Sequence, residues 1–196
     1  MYLNHSTAGA LAIKPIIDKY TEDLTEKERS VLWISGITAA ILPDFDIAYS
    51  VLAGVDDHRS FVTHGLFLYL VASVTIYLLS YLQKKDVFGK KFFRMLSVVF
   101  LVGILSHLFI DFIFGGIAFF APFSYQIFGF NMDIQKRPGN RFTDYTLSKY
   151  MLVEIVIFIF FLKFLKGKEY LLPRLASLFY FFMALIAFIT VSFIFD

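Results

Sequence analysis

Charged residues leave long gaps along this chain. No Asp, Glu, Lys or Arg occurs from Phe61 to Gln83 or from Leu175 to Phe195. Asp111 is the only one from Met95 to Met132, and Glu154 the only one from Tyr150 to Leu162. A helix needs about 18–20 mostly apolar residues to cross a hydrocarbon core of roughly 30 Å. The pattern predicts spanning helices at 61–82, 92–120, 149–166 and 172–195. Two shorter apolar segments come first, Tyr2–Ile13 and Val31–Pro43, each reaching only about 20 Å as a helix. The charged stretch Thr21–Arg29 reads as a solvated connector between them. The expected fold is all-α: a polytopic membrane helical bundle of four spanning helices plus two short N-terminal helices. It forms a single membrane-embedded domain over 1–196, with a motif-bearing core at 1–122 and additional helices at 149–196.

Composition agrees. The 196 residues are 58% hydrophobic and 17% charged, with a mean hydropathy of +0.70; soluble domains average roughly 45–50% and about 25%. This excludes a disordered chain and a collagen-like one. A net charge of +2 gives no reason to expect nucleic acid as a partner. Cysteine is absent, which removes disulfides, thiolate nucleophiles and cysteine-ligated zinc. The first segment lacks the basic start of a cleaved signal peptide and is expected to remain in the mature protein.

Loop charge suggests an orientation. Residues 83–94 hold Lys84, Lys85, Lys90, Lys91 and Arg94, and residues 163–174 hold Lys163, Lys166, Lys168 and Arg174. The positive-inside tendency puts both on the cytoplasmic side of a plasma or inner membrane. Loops 43–60 and 122–149 then face outward.

The four histidines fall in or beside apolar segments: His5, His58, His64 and His107. His107 and Asp111 are four apart, on one helix face, inside an apolar span where ionisable groups are costly and normally functional or paired. A metal ion would satisfy both groups together, and imidazole and carboxylate are zinc ligands available without cysteine. If the helix starts near Phe92, Asp111 lies about 28 Å further along, near the non-cytoplasmic boundary. His58, His64, Asp44 and Asp46 are placed at the same face, and His5 joins them if its segment descends from there. Asp56 and Asp57 read as solvated loop acids.

On these residues the chain resembles the YdjM-like membrane proteins, described as LexA-binding, inner-membrane-associated and membrane-bound metal-dependent hydrolases. The elements carrying the resemblance are Asn4-His5-Ser6-Thr7-Ala8-Gly9, Leu42-Pro43-Asp44-Phe45-Asp46, His58-Arg59-Ser60-Phe61-Val62-Thr63-His64-Gly65, and Ser106-His107 through Asp111 with Pro122 further on. They occur in the family's order and span residues 4–122. Ser60 stands where that family usually has Gly, and five residues instead of four separate His58 from His64. More distantly, the His-x-x-x-Asp pattern is similar to the zinc-dependent phospholipase C and P1 nuclease group, which hydrolyses phosphoesters.

Taken together, His5, Asp44, His58, His64, His107 and Asp111 are expected to hold a divalent metal, zinc by ligand type, and they are numerous enough for two ions with Asp44 bridging. Asp46 is expected to orient a ligand, to be an extra ligand itself or to serve catalysis, and Arg59 to serve catalysis by contacting a phosphate or carboxylate. No Gly-x-Ser-x-Gly elbow occurs, so the expected chemistry is hydrolysis by metal-activated water. The expected substrate is a phosphoester or ester of a lipid or amphiphile, with membrane lipid as the surroundings. The alternatives are a transporter of a divalent metal or small solute, and a non-catalytic membrane scaffold with a structural metal site.

Overall fold

The computed structural model describes residues 3–53, 58–83, 88–130 and 145–195. Among the described residues every element is helical apart from one isolated antiparallel bridge, Ile117 with Phe128. Helix α1 runs His5–Tyr20. It continues past the expected end at Ile13 because its buried face repeats at helical spacing, through Ile13 to Ile17, and carries Pro15 inside it. Helix α2, Glu26–Ala39, begins within the stretch expected to be a connector. Its start is set by a capping box: the Thr25 hydroxyl accepts from Glu28 N–H while the Glu28 carboxylate accepts from Thr25 N–H, which satisfies two otherwise orphaned donors.

A 3-10 turn at Leu42–Phe45 leads into the short helix α3, Asp46–Ala53. Two further 3-10 turns, His58–Ser60 and Val62–His64, precede helix α4, Leu66–Leu79. The expected helix at 61–82 is therefore shorter at both ends, and His64 lies in a turn before it, not in its first turn. The cause is local. Gly65 has extended backbone angles, and a Cβ there would lie 2.6 Å from Ala121 O, so the chain runs hard against the 117–122 loop instead of coiling. Leu66 N–H then donates to Phe119 O.

Helix α5 spans Lys90–Phe114, stopping six residues before the expected end, with Gly115 as its C-cap. The chain beyond it turns back through the Ile117–Phe128 bridge. Helix α6 is Lys149–Phe164, and helix α7, Leu171–Phe195, follows a 3-10 turn.

Two helical stretches, Lys90–Phe114 and Lys168–Thr190, are long and apolar enough to cross a membrane. The 14 residues of α4 and the 16 of α6 rise only about 21 and 24 Å, so among the described residues two of the four expected spans have the length of a crossing helix. All four helices nonetheless turn large apolar side chains outward: Phe67 and Val74 on α4, Leu105 and Phe109 on α5, Ile155 and Ile159 on α6, Phe179 and Phe182 on α7.

Helix α5 lies at the centre, against α1, α2 and α4, while α6 and α7 pack on α1 and α7 also on α2. The core between them is built from Ile13, Ile17, Leu32, Ile37, Val99 and Phe161, among others. Glycine sets the closeness of α2 and α5: a Cβ on Gly103 would lie 2.3 Å from Gly36 O. Small residues at such a crossing let backbones approach as they do in membrane bundles.

Candidate metal centre

Four helix ends meet at one end of this bundle. His5 is the first residue of α1, and Asp44 lies in the turn after α2. His64 lies in the turn before α4, while His107 and Asp111 occupy the last two turns of α5. The close α2–α5 crossing brings the Leu-Pro-Asp turn over the end of α5. Pro43 suits the first turn of the 3-10 helix, where its missing N–H costs nothing.

Donor atoms of Asp44, His64, His107 and Asp111 all lie within 4.8 Å of one another. His107 Nε2 is 3.4 Å from Asp111 Oδ2 and 3.7 Å from Asp44 Oδ1. His64 Nε2 is 3.5 Å from Asp111 Oδ2 and 3.7 Å from Asp44 Oδ1. His5 Nε2 makes a fifth arm, 3.7 Å from both Asp44 Oδ2 and Asp111 Oδ1. Its ring stacks on His107 with centroids 3.9 Å apart. His5, His64, His107 and Asp111 are buried, while the Asp44 side chain is 20% exposed and marks the opening.

These separations are long for nitrogen–oxygen hydrogen bonds, which cluster near 2.9 Å. The shorter ones, between Asp111 and both His64 and His107, fall within the edge length, about 3.3–3.6 Å, of a tetrahedron whose centre is about 2.0–2.2 Å from each donor, the zinc–ligand distance for His and carboxylate. His107 shows this most clearly. Its Nδ1–H donates to Ala40 O at 2.8 Å, which leaves Nε2 with its lone pair aimed into the cluster. Buried there, Nε2 makes no hydrogen bond among the described residues. His64 is oriented in the same way: Nδ1–H donates to Asp46 Oδ2 at 3.2 Å. Thr63 Oγ1 donates to that same oxygen, and the Tyr69 hydroxyl holds the Thr63 carbonyl at 2.7 Å. Metal-ligating histidines are typically fixed by such partners on the far ring nitrogen. The donor set fits a divalent cation, and this buried Asp/His cluster could bind one.

The chain belongs to the YdjM inner membrane protein family. That family's sequence pattern matches residues 1–194, which takes in the last 70 or so residues where the sequence carries no recognisable motif. No curated protein and no solved structure matches the chain. Membership of this inner membrane protein family, together with two helices long and apolar enough to cross a bilayer, marks it as a membrane protein.

Of the expected site residues of this YdjM chain, His5, Asp44, His64, His107 and Asp111 come together. Asp46 stands one step back, behind His64. Arg59 Nη2 lies 3.3 Å from Asp111 Oδ1, with its side chain 17% exposed. Its guanidinium sits over Gly115, where a Cβ would lie 2.0 Å from Nη1, so the glycine that ends α5 also makes room for the cation. The backbone of His58 is in the turn beside Arg59, and its side chain lies outside the described residues, as do Asp56 and Asp57. Two contributors are missed from sequence: the Ala40 carbonyl and the Thr63–Tyr69 pair. A backbone carbonyl carries no residue signature. Thr63 and Tyr69 are ordinary residues for an interfacial turn and an apolar helix.

Proposed function

We propose that this membrane protein is a metal-dependent hydrolase of a phosphoester or other ester bond in a lipid or amphiphilic substrate. The observation that carries the reading is the convergence of two oriented imidazoles and two carboxylates, His64, His107, Asp44 and Asp111, on one point, with the His5 imidazole beside them. His5, Asp44, His64, His107 and Asp111 would hold the ion. Asp44, His64, His107 and Asp111 suit a single ion, zinc by ligand type; a second ion would draw on His5, which faces the other oxygen of both carboxylates. A bound divalent ion supplies Lewis-acid chemistry and a water acidic enough to act as nucleophile at neutral pH.

The chain's own residues do the rest. Asp46 and Ala40 O fix the tautomers of His64 and His107. Arg59, at the exposed lip, offers a planar fork of donors to a phosphate or carboxylate oxygen, and its contact with Asp111 holds it at that lip. A groove of about 970 Å³ runs beside α5, with Ala8, Leu11, Leu105, Phe109 and Phe120 among its lining residues; it offers an apolar chain a place beside the site.

The outward apolar side chains of α4 and α6 support placing these helices in the bilayer as well, with their flanking turns, giving four membrane helices. The dense Lys/Arg loops before α5 and α7 favour a cytoplasmic location for that end, which leaves the metal cluster at the non-cytoplasmic face.

The same five donors also favour a second reading, a closed structural metal site without catalysis. Metal analysis of detergent-purified protein, followed by a screen of ester and phosphoester lipids, separates the two. The hydrolase reading expects one bound divalent ion and hydrolysis that disappears in His107→Ala and Asp111→Ala. Unchanged metal content in both variants would refute the site. Full metal with no hydrolysis of any ester class would favour the structural reading.

A further inference from the structure

One buried carboxylate takes no part in the cluster. Glu154 lies on α6, only 2% exposed, in a helix otherwise apolar from Tyr150 to Leu162. A carboxylate there is costly unless donors surround it, and they do. Leu3 N–H donates to Oε1 at 3.2 Å, and the Tyr145 hydroxyl donates to the same oxygen. The Asn4 side-chain amide donates to Oε2 at 2.6 Å and to the Glu154 backbone oxygen at 2.7 Å. Both amide hydrogens of Asn4 are thereby committed to α6.

Asn4 is the residue before His5 and the N-cap of α1, yet its side chain makes no capping bond of its own. Its side-chain oxygen instead accepts from Thr7 Oγ1 at 2.7 Å. On the other side of His5, Ser6 Oγ donates to Ser177 O on α7 at 3.0 Å. Residues 3, 4 and 6 are thus each tied to the two C-terminal helices, with His5 between them. The first turn of a helix has backbone donors with no intrahelical partner and frays readily; here the anchorage comes from a different part of the chain.

We infer that Glu154 is a positioning residue for His5: through Asn4 and Leu3 it fixes the first turn of α1, so that the His5 imidazole reaches the cluster. The motif-free C-terminal helices thereby serve the metal site they do not touch. This inference rests on the metal reading above.

Zinc titration of the full chain in detergent, by calorimetry, tests it as a double-mutant cycle. Glu154→Gln turns one acceptor into a donor that faces other donors. It is expected to weaken zinc binding about tenfold, the lower end for residues behind a ligand, in the chain with His5. In the His5→Ala background it is expected to cause no further loss. Tyr145→Phe removes one donor and should shift affinity the same way by less; it replaces Glu154→Gln if that variant fails to elute as a monodisperse species. The absorption spectrum of bound Co²⁺ gives an independent reading, in which Glu154→Gln should move towards the spectrum of His5→Ala. Equal losses with and without His5, or an unchanged spectrum and affinity, would overturn the inference. Wild-type zinc binding by His107→Ala would instead overturn the metal site itself.

Discussion

At the scale of single residues, the cluster depends on which ring nitrogen of each histidine points inward. For His107 the choice is made by a carbonyl, Ala40 O, and for His64 by Asp46. Substituting the orienting acid should therefore weaken metal binding without abolishing it. Asp46→Asn is expected to lower zinc affinity by about 10–100-fold, whereas His107→Ala should remove binding at any practical concentration; equilibrium dialysis measures both. Imidazole and carboxylate must shed protons to ligate a cation, so binding should release protons and weaken as pH falls. Calorimetry in buffers of different ionisation enthalpy reads that release, and a buffer-independent heat would argue against histidine ligation. Arg59 is a different kind of contributor, because it contacts Asp111 from the exposed lip. Arg59→Lys keeps the charge but loses the planar fork. It is expected to retain bound metal while raising KM for a phosphoester substrate.

At the scale of elements, the site exists because helix ends are brought together by close crossings. The α2–α5 crossing is set by Gly36 and Gly103, and a side chain at Gly103 would enter the space of the Gly36 carbonyl. A backbone oxygen cannot step aside as a side-chain tip can. Gly103→Val should therefore destabilise the fold by about 1–3 kcal/mol and also move Asp44, after α2, away from Asp111, on α5. Thermal unfolding in detergent together with zinc affinity checks this, and a loss of stability with unchanged affinity would show that the turn adjusts independently. The sequence anticipated α5 and α7 well because each is a long charge-poor run. It misjudged the start of α2, since Glu26, Lys27, Glu28 and Arg29 look like solvated connector. The Thr25–Glu28 capping box makes them a helix end instead.

For the whole molecule, four helices turn apolar side chains outward, while the His and Asp side chains of the cluster are gathered inside at one end. A ligand that binds only the folded state stabilises it by mass action. Stripping the metal with a chelator should lower the unfolding temperature, and adding zinc back should restore it. The absence of cysteine makes topology directly measurable. Single cysteines at Lys90 and Lys168 should label only from the cytoplasmic side, and one at Ser124 only from the opposite side. Labelling of all three from one side would contradict the proposed placement.

By itself, the sequence determined the helical class and singled out the His and Asp residues that the fold brings together. Apolar run length reports burial or lipid contact directly, and His and Asp are conspicuous wherever charge is otherwise missing. His5, Asp44, His64, His107 and Asp111 were legible for that reason, although 101 residues of chain separate the first from His107. Tertiary structure alone decided their arrangement: His64 in a turn ahead of α4, Asp46 behind it and not in the cluster, and Ala40 O as the partner of His107. It also gave Glu154 a place, as the anchor of the turn that bears His5. These are distances across the packed bundle, set by glycine crossings and backbone carbonyls, and neither leaves a pattern along the chain.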